Sequence, residues 1–192
     1  MGYKARILSG ILKGRFIDTP KIDSTRPTTD ALKETIVNIL IHRFFIKFEE
    51  YGVIDLFAGS GSLGFEFISM GSKKCLFIDN NKIAINCLYS NIKSLKVEEY
   101  SAVWNNDALK LDHILLSKIF GNKYKKFIVF LDPPYKNKDL LLKSIENLRS
   151  IQQKLNISMF LVIETDDEKF DIENTIFIRE NSKHKLIFVD LH

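Results

Sequence analysis

Cysteine and long apolar runs are scarce in this sequence, and each scarcity excludes a class of protein. The 192 residues include two cysteines, Cys75 and Cys87, and no metal-ligand spacing relates them. We expect both thiols to be reduced, buried and structural, which excludes a disulfide-rich secreted domain. The most apolar helical stretch, residues 31–48, is interrupted by charged and amide side chains, and the start lacks the apolar core of a signal peptide. The sequence predicts no metal, no membrane span and a cytoplasmic protein.

The chain also has only a small excess of basic over acidic residues. The chain has 28 basic and 24 acidic residues, a net charge of +4, and 45% apolar residues. This balance is typical of a globular protein, and it is compatible with a nucleic-acid partner without indicating one. The first 48 residues differ, since nine of them are basic and four are acidic. This local excess indicates either a nucleic-acid surface or an ordinary solvated face, and the sequence favours neither.

Two kinds of pattern divide the chain near residue 48. Residues 5–9 and 15–19 are strand-like runs around a glycine-containing turn, and a helical pattern extends from residue 30 to about residue 48. We expect residues 1–48 to form a β-hairpin and a helix that extend a main domain of residues 49–192. In that domain the predicted strands are 52–57, 74–79, 101–105, 127–132, 159–165, 175–179 and 185–191, and the predicted helices are 62–70, 82–95, 108–119 and 138–155.

Strands and helices alternate along most of this main domain. Such alternation predicts an α/β fold with a mostly parallel seven-stranded sheet that helices cover on both faces. Residues 180–184, between the last two strands, are too few for a helical crossover, so the last strand should be antiparallel.

A glycine-rich turn follows the first strand of this sheet. The chain runs from Asp55 through residues 57–61 into a helix, which is the context that a nucleotide-binding turn requires. Asp79, at the end of the next strand, can accept both ribose hydroxyls of an adenosine cofactor, and Asp107 can accept the adenine amino group. Capping of the following helices is the alternative role of these two residues. The candidate cofactor-binding residues are Asp55, Phe57, Ala58, Gly59, Ser60, Gly61, Asp79, Asn80, Asn106, Asp107 and Ala108.

The choice of cofactor depends on Asp55. A carboxylate beside the turn would repel the pyrophosphate of a dinucleotide, whereas it can orient the turn or reach a cationic amino-acid group. S-adenosylmethionine carries such a group, so it fits this site better than a nicotinamide dinucleotide. A nicotinamide oxidoreductase would also need a hydride-transfer acid, and the four histidines lie in predicted helices or near the C-terminus.

The fourth strand of the main domain ends in a rigid loop, Asp132-Pro133-Pro134-Tyr135. Two proline rings stiffen its backbone and remove two N–H donors, so the loop presents a carboxylate, carbonyl acceptors and an aromatic ring. These groups suit a planar base with an exocyclic amino group, although a strand-ending turn with a capping Asp and a packed Tyr is the alternative. Because parallel strands end at one edge of a sheet, this loop and the cofactor turn should meet. The candidate catalytic residues are Asp132, Pro133, Pro134 and Tyr135.

Together, these motifs resemble the RsmD-type family of bacterial methyltransferases, which act on guanine N2 of small-subunit (16S) ribosomal RNA. The resemblance rests on residues 6–10 with 13–15, 26–30, 55–64 and 132–135. It implies a Rossmann-like S-adenosylmethionine-dependent domain with a small N-terminal β-hairpin that engages RNA. Residues 166–174 depart from it, since many such folds place a fuller helix there. The implied partner is ribosomal RNA or the small ribosomal subunit, and we predict phosphate contacts at Arg6, Lys13, Arg15 and Arg26.

Two other functions stay open at this point. A DNA methyltransferase for adenine N6 or cytosine N4 uses the same tetrapeptide, but such enzymes commonly need a target-recognition domain, for which this chain has no room. A non-catalytic RNA-binding assembly factor could keep the fold, yet Asp55, Asp79 and Asp132 are all intact. We therefore predict an RNA (guanine-N2) methyltransferase that acts as a monomer.

Overall fold

Nine strands form two sheets in the computed structural model, which describes residues 4–21, 28–134, 137–167, 169–180 and 185–192. The small sheet pairs β1 (Lys4–Arg6) with β2 (Phe16–Asp18) in antiparallel fashion. The large sheet contains β3 (Gly52–Asp55), β4 (Cys75–Asp79), β5 (Ser101–Asn105), β6 (Lys126–Leu131), β7 (Ser158–Thr165), β8 (Thr175–Glu180) and β9 (Lys185–Leu191).

The strand order of the large sheet is β5-β4-β3-β6-β7-β9-β8. The first five strands of this order are parallel, and β9 runs antiparallel to both of its neighbours. The predicted α/β fold, with a mostly parallel sheet, an antiparallel last strand and an N-terminal hairpin, is confirmed. The order reverses between β3 and β6, and ligands of open α/β sheets bind beside the C-terminal ends of strands at such a point.

Five α-helices lie in the described part of the chain: α1 (Asp30–His42), α2 (Ser62–Ser69), α3 (Lys82–Leu95), α4 (His113–Phe120) and α5 (Lys138–Leu155). The predicted helix at residues 108–119 is wrong in part, because the chain forms a short 3-10 turn before α4 begins. Asp112 starts α4 as a new cap, since its side chain accepts a hydrogen bond from the Leu115 N–H at 2.7 Å.

Helix α1 also ends earlier than the predicted position near residue 48. The helix stops at His42, and Phe45 adopts a left-handed backbone with a φ of 54°. This turn lets Phe44 pack edge-on against Phe160 of β7, with ring centroids 4.8 Å apart. Burial of an aromatic side chain therefore outweighs another turn of helix.

The two faces of the large sheet carry separate apolar clusters. Helices α1, α2 and α3 cover one face, and α4 and α5 cover the other. The first cluster also contains Ile7 and Ile17 of the N-terminal segment, both at most 2% exposed. The hairpin thus packs into the same core as the main sheet, and the division into domains at residue 48 stays a prediction.

Buried polar groups fix the hairpin segment onto the helices. Glu66 of α2 is fully buried, and its carboxylate accepts hydrogen bonds from the backbone N–H groups of Leu8 and Ser9. Lys33 of α1 is 1% exposed and donates to the Arg6 carbonyl. A buried charge is stable only where it is paired and hydrogen-bonded, so these contacts specify one position for the hairpin.

Three smaller findings complete the fold. Cys75 is buried as predicted, but the prediction for Cys87 is wrong, because Cys87 is only half-buried and its thiol donates to the Asp18 carbonyl. The described residues between β7 and β8 form turns and no helix, in agreement with the departure noted at residues 166–174. In the described ranges, every helix is too short or too polar to cross a membrane.

Candidate active site

A cavity of about 830 Å³ opens at the C-terminal edge of the large sheet. The loops after β3, β4, β5, β6 and β7 all contribute to its lining. Of the predicted cofactor residues, those that line it are Asp55, Phe57, Ala58, Gly59, Ser60, Asp79, Asn80, Asn106, Asp107 and Ala108. Asp132, Pro133 and Pro134 line it too, whereas Tyr135 lies outside the described residues. The structure thus brings the two predicted motifs together, while the role of each residue stays a prediction.

Gly61 is the predicted cofactor residue that does not line the cavity. It caps α2 with a φ of 79°, a left-handed conformation that favours glycine. A Cβ at this position would lie 2.6 Å from the Leu88 side chain and 2.7 Å from the Phe65 ring. Gly61 therefore makes the sharp turn and the close packing of α2 that the cavity requires.

Asp79 connects the glycine turn to the helix that follows its own strand. Its Oδ2 accepts a hydrogen bond from the Gly59 N–H, and its Oδ1 accepts one from the Asn81 N–H, both at 2.8 Å. Each carboxylate oxygen has a second lone pair, so the group can still accept ligand hydroxyls. The capping role left open for Asp79 is wrong, because Asn81 caps α3 by accepting a hydrogen bond from the Ile83 N–H, and the ligand role of Asp79 stays a prediction.

Asp107 also combines a local contact with a place in the lining. Its Oδ1 accepts a hydrogen bond from the Leu109 N–H at 2.9 Å, which caps a short 3-10 turn. The capping role left open by the sequence is thus present in the structure. Because only one oxygen makes this contact, the carboxylate keeps acceptor capacity toward the cavity.

Asp55 is the most deeply buried carboxylate of the cavity lining, with 3% of its surface exposed. Burial raises its pKa to about 7, against the opposing effect of the hydrogen bond from the Gly64 N–H, and the negative charges of Asp132 and Asp79 raise the pKa further. Burial likewise raises the pKa of Asp132 to about 7. A cation bound in the cavity would therefore stabilise the ionised forms of these two carboxylates.

Acidic side chains dominate the described cavity lining. Seven carboxylates line it, whereas Lys138 is the one lysine or arginine in that lining, and its Nζ lies 3.5 Å from Asp167 Oδ2. This charge disfavours the pyrophosphate of a dinucleotide and favours the sulfonium and ammonium groups of S-adenosylmethionine. The glycine turn, the acceptors at Asp79 and Asp107 and the acidic wall near Asp55 fit that cofactor in its adenosine and amino-acid parts.

Two parts of the lining were missed from the sequence. Thr19, Pro20, Thr28 and Thr29 come from the described segments before and after residues 22–27, and residues 164–167 lie at the end of β7 and directly after it. The second group could have been found, because β7 was predicted as a parallel strand and its end lies at the ligand-binding edge. The first group had no comparable signal, since its place depends on how the hairpin docks.

The predicted RNA contacts lie outside the cavity, insofar as they are described. Arg6 and Lys13 are exposed on the hairpin segment. The Arg15 guanidinium donates to the carbonyls of Ser94 and Leu95 at the end of α3, at 2.5 and 3.1 Å, so it has a structural partner. Arg26 lies outside the described residues. All four RNA contacts stay predictions.

Comparison with a solved structure identifies the fold. The chain matches yhhF of Escherichia coli, provisionally named a methyltransferase, with a TM-score of 0.76 over 99% of each chain and 24% sequence identity. Identity at this level shows the shared fold alone. The chain therefore has a Rossmann-like α/β fold, with its candidate site at the C-terminal edge of the sheet.

Comparison with known sequences gives the family. The family described as Conserved hypothetical protein 95 matches residues 5–188. The chain is 38% identical over 163 residues to YlbH of Bacillus subtilis, provisionally named an rRNA methyltransferase, covering 85% of this chain and 83% of YlbH. It is 33% identical over 180 residues to Ribosomal RNA small subunit methyltransferase D of Haemophilus influenzae, covering 93% of this chain and 89% of that protein. The chain belongs to this RsmD-type family, as its motifs predicted.

Proposed function

We propose that this protein transfers a methyl group from S-adenosylmethionine to the exocyclic N2 of a guanine in the 16S ribosomal RNA of the small subunit. The names of its relatives support the coarser statement, that it is a ribosomal RNA methyltransferase. The observation that carries the proposal is the presence of the Asp132-Pro133-Pro134 loop in the same cavity as the glycine turn. The family resemblance favours guanine N2 over other amino groups.

Each part of the cofactor has residues that would hold it. Asp79 would accept the ribose hydroxyls, and Asp107 would accept the adenine amino group. Asp55 and the glycine turn would hold the amino-acid end. S-adenosylmethionine supplies a methyl group that its sulfonium already activates, so the protein contributes mainly position and electrostatics.

The Asp132 loop prepares the guanine amine. The N2 nitrogen is a poor nucleophile because its lone pair is delocalised into the ring. Asp132 accepts one N–H of this amine and the Pro133 carbonyl accepts the other, which draws the nitrogen toward a tetrahedral geometry. Because burial raises the pKa of Asp132 to about 7, its carboxylate can also take up the proton that methyl transfer releases.

The target base must leave its stack to reach this loop, and the hairpin segment leads to the cavity. β2 ends at Asp18, and the next two residues, Thr19 and Pro20, line the cavity. Phosphate contacts would come from Arg6, Lys13 and Arg15 on the same segment and from Arg26. Tyr135 would stack on the extruded base. As an enzyme of ribosomal RNA, the protein would work in the cytoplasm. It would act as a monomer, because one copy of the chain carries every described residue of the site.

A transfer assay with three substrates tests the proposal. The protein is incubated with methyl-labelled S-adenosylmethionine and small-subunit particles, naked ribosomal RNA or duplex DNA, and the nucleosides are then separated. We expect label in N2-methylguanosine from one or both RNA substrates and none in DNA. Label in N6-methyladenine or N4-methylcytosine of DNA would refute the proposal. Cofactor binding without any transfer would favour a non-catalytic assembly factor.

A further inference from the structure

A second carboxylate lies beside the Asp132 loop, at the end of the next strand. Glu164 lines the cavity and is half-buried. The register of β6 and β7 pairs Leu131 with Ile163. Asp132 and Glu164 are thus the next pair along two parallel strands, and neighbouring strands are about 4.8 Å apart.

Asp132 and Glu164 also lie on the same face of the sheet. Phe130 of β6 and Val162 of β7 both belong to the cluster beneath α1 and α2. Side chains alternate between the faces of a strand, so the residues two positions further along lie on that same face. Phe130 and Leu32 of α1 line the cavity on this face. The two carboxylates therefore project into one part of the cavity.

Two adjacent carboxylates match one edge of one base. The Watson–Crick edge of guanine presents the ring N1–H beside the exocyclic N2 amine, so two neighbouring donors lie on that edge. Ionised carboxylates are acceptors only. Adenine at N1 and cytosine at N3 present a ring acceptor beside their amine, and an acceptor facing a carboxylate leaves both groups unpaired.

We infer that Glu164 determines the specificity for guanine by accepting the ring N1–H while Asp132 accepts from the N2 amine. This inference rests on the proposed function and names the residue that reads the base. The Asp-Pro-Pro loop suits any planar base with an exocyclic amine, so it cannot by itself distinguish guanine from adenine or cytosine. A carboxylate aimed at the ring nitrogen makes that distinction.

The test compares two bases that share the N2 amine and differ at N1 and in the 6-oxygen that only guanine carries, and Glu164→Gln separates the effect at N1 from the effect of that oxygen. Wild-type protein first methylates a small-subunit RNA, and the methylated guanosine is mapped. The same RNA is then prepared with guanosine or 2-aminopurine riboside at that position, since N1 of 2-aminopurine is an acceptor. kcat/KM for each RNA is measured for the wild type, for Glu164→Gln and for Glu146→Gln, an exposed residue of α5 that serves as the control.

We expect the wild type and the control to prefer guanosine by at least about tenfold, the scale set by one mismatched buried hydrogen bond. Glu164→Gln should lower kcat/KM for guanosine by roughly 10–100-fold and narrow the preference, because a glutamine amide can donate to N1 of 2-aminopurine. Its affinity for S-adenosylmethionine should stay within about twofold, as a base-reading role leaves the cofactor site unchanged.

If Glu164→Gln lowered kcat/KM equally for both RNAs, the inference would be overturned, since Glu164 would then be a structural residue. If Glu164→Gln does not fold, Glu164→Asp replaces it. That variant should keep the preference for guanosine at lower turnover, and loss of the preference would count against base reading. Failure of the wild type to form N2-methylguanosine in any RNA would refute the proposed function itself. An active wild type with an unchanged ratio in Glu164→Gln would refute the role of Glu164 alone.

Discussion

At the scale of single residues, Asp55 shows how burial in the cavity wall affects the ionisation of a carboxylate. Its carboxylate is buried at the end of β3, and its hydrogen bond from the Gly64 N–H, at 3.2 Å, does not offset the loss of water. Asp132 and Asp79 add negative charge nearby. Burial therefore favours the protonated form of Asp55 below about pH 7, and a cationic ligand would favour its ionised form.

The stability of the cofactor-free protein should follow from this pKa. The folded-state pKa of Asp55, about 7, lies above the ordinary value of 3.8. The folded state therefore holds the proton more tightly, and the stabilisation is complete below the ordinary pKa and is lost as pH rises through about 7. A difference of about three pKa units corresponds to about 4 kcal/mol, or roughly 10 °C in the melting temperature of a chain of this size.

Asp55→Asn tests this effect, because asparagine has nearly the same shape and no charge. We expect the melting temperature of the wild type to fall between about pH 4 and pH 7 and to level off above that. The melting temperature of the variant should fall less, and the fall that remains reflects the raised pKa of Asp132. Asp139→Asn, at an exposed position of α5, is the control and should follow the wild type. Equal pH profiles for the wild type and Asp55→Asn would mean that burial does not raise the pKa of this carboxylate.

At the scale of elements, α2 joins the cofactor site to the hairpin. Its first turn follows the glycine turn, and its buried face carries Glu66 and Ser69, which bind the hairpin backbone. Gly10 permits this close approach, since its φ is 74° and a Cβ there would lie 1.9 Å from the Ser69 carbonyl oxygen. One helix thus fixes both the cofactor turn and the segment that reaches the cavity through Thr19.

Glu66 does not line the cavity, but we expect it to contribute strongly to the free energy of unfolding. Glu66→Ala leaves the buried N–H groups of Leu8 and Ser9 without their acceptor, at a cost of about 1–3 kcal/mol for each. We expect a loss of roughly 2–5 kcal/mol in urea unfolding. Glu66→Gln, which keeps one acceptor, should lose less, and Glu146→Ala on the surface of α5 should lose little. If Glu66→Ala were as stable as the surface variant, the hairpin would not depend on this carboxylate.

Most of the fold of the whole molecule could be predicted from periodicity. Apart from the start of α4, the strands and helices of the main domain were placed within a residue or two, because each βα unit alternates and the turns between units carry glycine, asparagine or aspartate. The end of α1 could not be predicted, since Phe44 leaves the helix only to meet Phe160, which is distant in sequence. The buried contacts of Glu66 and Lys33 were missed for the same reason.

The site was predictable to the extent that it follows strand ends. Asp55, Asp79 and Asp132 lie where the parallel order of β3, β4 and β6 places them. Arg15 shows the limit of this approach, because its hydrogen bonds to the end of α3 could not be predicted from the sequence, while its contact with RNA phosphate stays a prediction. A basic residue near a predicted surface can cap a helix as readily as it can bind RNA.

Binding of RNA by the hairpin segment should depend on salt through Arg6 and Lys13. Replacing both with glutamine should reduce the slope of log K against log salt by roughly 1.5, since each phosphate contact contributes about 0.7–0.9. The matched control replaces Lys143 and Lys154 of α5, which are exposed on the other side of the sheet, and should leave the slope unchanged. Equal slopes for the two double variants would contradict the proposed RNA surface.

The most direct measurement compares Asp132→Asn with the wild type in two assays, S-adenosylmethionine binding by calorimetry and methyl transfer to the small-subunit RNA. Because Asp132 belongs to the base loop and the cofactor residues belong to other loops, we predict affinity for the cofactor within about threefold of the wild type and turnover lower by at least about 100-fold. Asp139→Asn should behave as the wild type in both assays. Near-native turnover of Asp132→Asn, with N2-methylguanosine as its product, would contradict the central claim that this carboxylate prepares the guanine amine.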